Sequence, residues 1–252
     1  MSDAVQKVAL VTGATAGIGR ATALALARNG IAVVATGRKR DAGAETVKLI
    51  EDAGGRAAFI AHDANLEDEW IAAVSGTLAA FGRLDILVNN AGKIIVKPLD
   101  SLTPEDMQTM LRANLESCFL GMKYAWPHLK AAGGGAIVNV TALMGERTAA
   151  IGVAYSAAKA AAMALSKSAA IEGARDKIRV NAVMPGLIWS DGWQRMAEPD
   201  PDTTKANVGK TVPFGRFGET SEVAEVIAFL TSDAAAQITG VDFPVDGGKN
   251  AG

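Results

Sequence analysis

The chain has a single cysteine, Cys118, in 252 residues, which excludes an intrachain disulfide and any metal site built from several thiolates. Cys118 stands in an apolar helical pattern beside Phe119 and Leu120, the setting of a buried, inert thiol. Only two histidines occur, His62 and His128, and neither has a third ligand at metal spacing, so both read as packing or surface residues and no metal is expected. Aromatic residues make up 5% of the chain, and alanine and glycine are plentiful, which suits helices packed closely on a parallel sheet better than a β-sandwich. Basic residues are scattered and the net charge is -2, so nothing drives the chain toward nucleic acid or an anionic membrane surface. No apolar run approaches the ~18 residues of a membrane helix. Met1 to Gln6 lack the basic and apolar segments of a secretory signal, and a cytoplasmic location is expected. Repeats, low-complexity tracts and dividing linkers are also missing, so residues 1–252 read as one domain.

What the chain does have is alternation. Short apolar runs at Val8–Val11, Ile31–Ala35, Ala57–Ala61, Ile86–Val88, Ala136–Val140, Ile178–Val183 and Val241–Val245 are separated by segments of helical period. The pattern predicts an α/β fold: a single-domain, Rossmann-like doubly wound sheet of seven mainly parallel strands with helices on both faces. A first helix carries Ala21, Leu24 and Ala25 and stops at Asn29-Gly30. Further helices are expected over 66–81, 104–131 and 153–172, the second opened by Thr103-Pro104-Glu105-Asp106 with a capping hydroxyl and proline at N1. Ala157, Ala158, Ala161, Ala162 and Ala169 would let the third approach a neighbour closely, in this chain or in another copy. Residues 187–217 break the pattern and read as a lid over the carboxyl ends of the strands.

Chemistry-bearing residues follow the strands. After the first, Thr12-Gly-Ala-Thr-Ala-Gly17-Ile-Gly19 spaces its glycines as Gly13, Gly17 and Gly19, which is not the GxGxxG fingerprint. The physics is the same: a backbone without side chains admits phosphate, and a helix N-terminus offers unpaired N–H groups and positive potential to it. In isolation such a turn is only a turn; its place after the first strand points to a dinucleotide pyrophosphate. The second strand ends in Thr36-Gly37-Arg38-Lys39-Arg40, where a carboxylate would select NAD(H) through the ribose 2'-hydroxyl. A guanidinium there suits a 2'-phosphate instead, so NADP(H) is favoured and NAD(H) remains possible; a solvated basic loop is the alternative. After the third strand, Asp63 either meets the adenine amino group or caps a helix.

Near the middle of the chain stand Asn89-Asn-Ala-Gly92, Asn114, Tyr155-Ser-Ala-Ala-Lys159 and Pro185-Gly186. With the glycine loop, in this order and at these intervals, they resemble the short-chain dehydrogenases/reductases over the whole chain, most closely the members of about 250 residues that include 3-oxoacyl carrier-protein reductases and polyol, sugar and steroid dehydrogenases. The resemblance implies hydride transfer between a nicotinamide cofactor and a secondary alcohol or its ketone. It implies that Thr15, Ile18, Ala64, Asn90, Ala91, Ile188 and Ser190 contact the cofactor together with the residues already named. It also implies that Asn89 to Gly92 stabilise the sheet beside the adenosine. Ser190 matches a threonine that bonds the nicotinamide carboxamide. Tyr155 would exchange a proton with the substrate oxygen. Lys159, one turn on, would hold the nicotinamide ribose and favour the phenolate, because a cation lowers a phenol's pKa from its usual ~10. Asn114 would position a water for proton relay.

One position departs from the family. Val138-Asn-Val-Thr-Ala142 aligns without a gap to Tyr155, and Ala142 stands where the family usually carries a serine whose hydroxyl bonds the substrate oxygen. Losing one such donor is expected to lower turnover by a factor of order 10² to 10³. Thr141 is a substitute donor only if strand alternation relaxes. A Ser-to-Ala change in an otherwise intact site is favoured over a natural variant with weak catalysis, another donor or a nucleotide-sensing role. The rival class is a catalytically weak nucleotide-binding or scaffolding protein; a lyase or epimerase on the same fold is a third. Leu143, Met144, Trp189 and Trp193 are candidate walls for a small-molecule substrate. Relatives that form homotetramers make a homo-oligomer the expected assembly.

Overall fold

The computed structural model of the chain describes residues 6–251. In chain order its elements are β1 (Val8–Val11), α1 (Gly17–Arg28), β2 (Ala32–Gly37), α2 (Arg40–Asp52), β3 (Ala57–Ala61), α3 (Glu67–Phe81), β4 (Ile86–Asn89), α4 (Pro104–Leu111), α5 (Ser117–Ala131), β5 (Gly135–Val140), α6 (Val153–Gly173) and β6 (Ile178–Pro185). They continue with β7 (Ile188–Trp189), α7 (Asp191–Met196), α8 (Pro201–Gly209), β8 (Gly218–Glu219), α9 (Thr220–Thr231) and β9 (Asp242–Val245).

Seven of these strands form one sheet in the order β3-β2-β1-β4-β5-β6-β9, and every pair in it is parallel. The strands read as continuous apolar runs because helices cover both faces. Strand alternation divides the core accordingly. Ala9 and Val11 face one layer with Leu26 of α1 and Val223 and Ile227 of α9, whereas Leu10 faces the other with Trp70 and Val74 of α3 and Met122 and Leu129 of α5. Trp70 is completely buried, and truncating so large a side chain to alanine costs about 3–5 kcal/mol. The doubly wound sheet expected from the sequence is therefore present. Its strand order reverses between β1 and β4, and in such sheets ligands bind at the carboxyl ends beside the reversal. No helix among the described residues is long and apolar enough to cross a membrane.

Two expectations change. The helix expected over 104–131 begins with the anticipated capping box of Thr103 and Asp106, but a π-helical turn at Arg112–Glu116 divides it into α4 and α5. The segment 187–217 contains α7, α8 and the strand β7, which pairs in parallel with β8. Asp200 caps α8 by accepting the Thr203 N–H at 3.2 Å. Trp189 and Trp193 both pack edge-on against Phe217, with ring centroids 5.1 Å apart in each case.

Candidate active site

The glycine loop is shaped by what its residues cannot hold. Gly13 and Gly17 have φ of +64° and +53°, a region that disfavours side chains. A Cβ on Gly19 would lie 2.2 Å from the Gly13 carbonyl oxygen. Thr12 fastens the loop to the end of β4: its Oγ1 accepts the N–H groups of Asn90 and Ala91, each at 3.0 Å, while Asn90 Nδ2 donates to the Thr12 carbonyl at 2.9 Å. Arg20 braces the other side, donating to the Thr15 carbonyl at 2.7 Å. Helix α1 opens at Ala16 with no side-chain cap and no acidic residue in its first turn. Its first N–H groups are left to an incoming anion, and no carboxylate opposes one.

Two cavities meet at this loop, with Asn90, Gly92 and Lys93 bordering both. The first, about 350 Å³, is lined by Gly13, Thr15, Arg38, Asp63, Ala64 and Ala91 among others. The Arg38 side chain is 77% exposed and its Nη1 lies 4.0 Å from Asp63 Oδ2, so a carboxylate does face the basic loop. That pairing joins the ends of β2 and β3 and is invisible in the local sequence. Asp63 Oδ1 is engaged by the N–H and Nδ2 of Asn65, the latter at 2.6 Å. His62 is buried edge-on against Trp70, with Nδ1 3.0 Å from Thr36 Oγ1. Burial pushes its pKa down to about 4 against the opposing charges of Glu69 and Asp63, so it is a neutral packing residue.

The second cavity, about 950 Å³, gathers Ile18, Asn114, Ala142, Tyr155, Lys159, Pro185, Gly186, Ile188 and Ser190 from five separate stretches of the chain. Of the four candidate wall residues, Leu143, Met144 and Trp193 line it and Trp189 does not. Trp189 turns onto Phe217 and beneath the Lys205 ammonium, 5.0 Å from its ring centroid, because β7 alternates its side chains over only two residues.

Helix α6 presents Tyr155 and Lys159 on one face, with Lys159 Nζ 5.7 Å from the phenol ring centroid. Lys159 is buried and donates to the Val140 carbonyl at 2.8 Å. Burial lowers its pKa from the ordinary lysine value. The expected lowering of the Tyr155 phenol by this cation is not found: burial instead pushes Tyr155 up to about 12. A desolvated ammonium bonded to a carbonyl does not outweigh the loss of water around the phenol, although the half-buried ring still borders the cavity. Asn114, fully buried in the π-helical turn, donates from Nδ2 to the Lys93 and Met110 carbonyls at 2.8 and 3.0 Å. Single π turns recur at functional sites. Gly92 fits between these groups: a Cβ there would lie 2.7 Å from Asn114 Oδ1 and 3.6 Å from Lys159 Nζ.

Ala142 is extended, 7% exposed, and lines the cavity at the end of β5. Thr141 also lines the cavity, but its hydroxyl is already donated to the Val183 carbonyl at 2.9 Å. The structure also brings in Lys93, Arg147, Arg195 and Lys249, which sequence reasoning did not single out. Arg147 and Lys249 come together from distant segments, and no local signal marks them. Thr12 did carry a signal, as the residue that opens the glycine loop.

Comparisons with known proteins agree with this architecture. A family model described as enoyl-(acyl carrier protein) reductase matches residues 13–250. The cis-4-hydroxycyclohexanecarboxylate dehydrogenase of Sinomonas cyclohexanicum is 41% identical over 98% of this chain and 97% of its own. The cyclohexanol dehydrogenase of Acinetobacter sp. (strain SE19) is 39% identical over 96% of this chain and 94% of its own. A crystal structure of a variant actinorhodin polyketide ketoreductase with NADPH superposes with a TM-score of 0.92 at 31% identity, covering 97% of each chain. With glycine loop, Asn-Asn-Ala-Gly turn and Tyr-Lys helix assembled at one end of a parallel sheet, the chain belongs to the short-chain dehydrogenase/reductase family of oxidoreductases.

Proposed function

We propose that this protein interconverts a secondary alcohol and its ketone with a nicotinamide dinucleotide, NADP(H) in preference to NAD(H), and that the alcohol is alicyclic. The observation that carries the proposal is the Tyr155–Lys159 pair opening onto a cavity continuous with an anion-ready glycine loop. The loop residues fit a dinucleotide: Gly13, Gly17 and Gly19 leave room for its pyrophosphate, while Asp63, Ala64 and Asn90 to Gly92 border the adenosine side. Pro185, Gly186, Ile188 and Ser190 would hold the nicotinamide end. When bound, the cofactor supplies or accepts the hydride.

Tyr155 does the proton work. Its hydroxyl would give a proton to the oxygen of a ketone undergoing reduction, and its phenolate would take one from an alcohol in the reverse direction. A phenol held near 12 is fully protonated at neutral pH and therefore ready for reduction; oxidation requires its proton to leave first. Lys159 would hold the ribose and, with its ammonium turned from the Val140 carbonyl toward the phenol oxygen, would favour the phenolate. Asn114 anchors the π-helical turn beside this pair and supports the relay. Leu143, Met144 and Trp193 give the substrate an apolar wall, and residues 187–217 act as its lid within one catalytic domain. Names of the relatives that act on cyclohexanol and a hydroxycyclohexanecarboxylate support a saturated ring as substrate.

Arg38 supports the choice of NADP(H), since its exposed guanidinium at the end of β2 suits a 2'-phosphate. Exposed Phe119 on α5 and Ile171 on α6 support assembly into a homotetramer through these helices. Ala142 favours a second reading, a nucleotide-binding member with weak catalysis. Single-turnover oxidation of NADPH by a panel of cyclic ketones, with and without Ala142→Ser, separates the two. Turnover that rises in the serine variant supports the enzyme, and bound nucleotide with silence in both chains overturns it.

A further inference from the structure

The charge of the larger cavity is one-sided. Lys93, Arg147, Arg195 and Lys249 line it together with the buried Lys159, and no aspartate or glutamate does, in a chain whose net charge is -2. None of these cations makes an ion pair among the described residues, whereas Lys97, Lys123, Lys167 and Arg216 elsewhere all do. Lys93 borders both cavities and so stands on the dinucleotide's path. Arg147 and Lys249 line only the larger one.

A side-chain-to-backbone hydrogen bond ties their two segments together. Arg147 Nη1 donates to the Lys249 carbonyl at 2.7 Å, and Lys249 Nζ donates to the Thr211 carbonyl and Oγ1 at 3.0 and 3.1 Å. Asp246 shapes the turn that carries Lys249 by accepting the N–H groups of Gly248 and Asn250 at 2.9 and 2.7 Å. Three segments thus converge: the loop after Ala142, the end of 187–217 and the C-terminal tail. Both charged groups donate to backbone oxygens, and the cavity they line sets no carboxylate against an incoming anion. Leu143 and Met144 add apolar surface to the same cavity that Tyr155 borders.

From this arrangement we infer that the substrate is an anionic alicyclic alcohol, with a carboxylate seated at Arg147 and Lys249, assisted by Arg195, and its hydroxyl-bearing carbon at Tyr155. The inference rests on the alcohol–ketone reading above and specifies its substrate. Charge-assisted bonds of this kind predict a preference of roughly 10- to 100-fold for the acid over its neutral analogue.

The test is calorimetric titration of the full chain, saturated with NADPH, using cyclohexanecarboxylate and cyclohexanecarboxamide. Neither ligand reacts, so binding is read without turnover. The acid is expected to bind roughly 10- to 100-fold more tightly than the amide, with the gap narrowing at high salt. In Arg147→Met/Lys249→Met, and in the milder Lys249→Gln, the gap is expected to shrink. Equal binding of acid and amide in the unaltered chain, binding of neither, or a gap unchanged in the variants overturns the inference. In parallel, Ala142→Ser is assayed for oxidation of cyclohexanol and 4-hydroxycyclohexanecarboxylate. Oxidation of cyclohexanol without any acid preference sinks the anion site and leaves the oxidoreductase standing. Acid preference in binding with neither alcohol oxidised does the reverse.

Discussion

Restoring a hydroxyl at position 142 perturbs the site at one atom. The backbone at Ala142 has φ -165° and ψ 152°, an extended conformation serine adopts without strain, and its Cβ borders the same cavity as Tyr155. The nearest sequence candidate for the missing donor, Thr141, donates its hydroxyl to the Val183 carbonyl of the neighbouring strand β6. A serine at 142 is therefore expected to add a hydrogen bond to the substrate oxygen as charge develops there. A single oxyanion donor is worth about 10²- to 10³-fold in turnover, or about 2.7–4 kcal/mol of barrier. The new hydroxyl faces a cavity of about 950 Å³ and not a sealed core, so stability should change by under about 1 kcal/mol. Stopped-flow single-turnover oxidation of NADPH with excess cyclohexanone reads the chemical step directly. A rate constant in Ala142→Ser within about threefold of the unaltered chain would refute the reasoning, because it would mean another group already serves as donor.

Other expectations follow from the same geometry. Tyr155→Phe should lower turnover at least about 10²-fold while leaving NADPH affinity within a few fold, measured by fluorescence titration. Because burial holds Tyr155 up to about 12, ketone reduction should be flat over roughly pH 6 to 9, whereas alcohol oxidation should rise steeply with pH. An oxidation profile flat over that range would mean Lys159 has already lowered the phenol. Gly19→Ala places a Cβ 2.2 Å from the Gly13 carbonyl and should abolish dinucleotide binding, read by the same titration. Arg38→Ala should reduce the preference for NADPH over NADH about tenfold or more. His62 has a folded pKa of about 4, below its ordinary 6.5, so the unfolded chain takes up the proton first. Its stabilising contribution is complete above about pH 6.5 and is lost as pH falls toward 4, in total about 3 kcal/mol, and denaturant melts of the chain and of His62→Gln across that range should differ accordingly.

The sheet was legible because parallel strands buried on both faces spell unbroken apolar runs. Ala57–Ala61 coincides with β3, and Ile31–Ala35 overlaps β2 at Ala32–Gly37. The glycine loop and the Tyr155–Lys159 helix were legible because their geometry is local, set by glycine and by the helical turn. The π-helical turn at Asn114 was not, since a shift from i+4 to i+5 bonding leaves no mark in residue pattern. Helices α7 and α8 were hidden by their polar, short sequences, although Asp200-Pro201 was a start signal that the run of acidic residues obscured. Trp189 was misassigned because alternation in a strand of two residues has no anchor. Arg147 and Lys249, 102 positions apart, meet only through the tertiary fold.

The central claim is hydride exchange at a ketone carbon with Tyr155 as the proton donor. NADPH carrying deuterium at the transferring position, mixed with cyclohexanone and with its carboxylated analogue, tests it most directly, using the chain and Ala142→Ser. The account predicts deuterium on the carbinol carbon of the product, more rapidly in the serine variant and lost when Tyr155→Phe is added. Nucleotide bound by both chains with the label never leaving it would contradict the account.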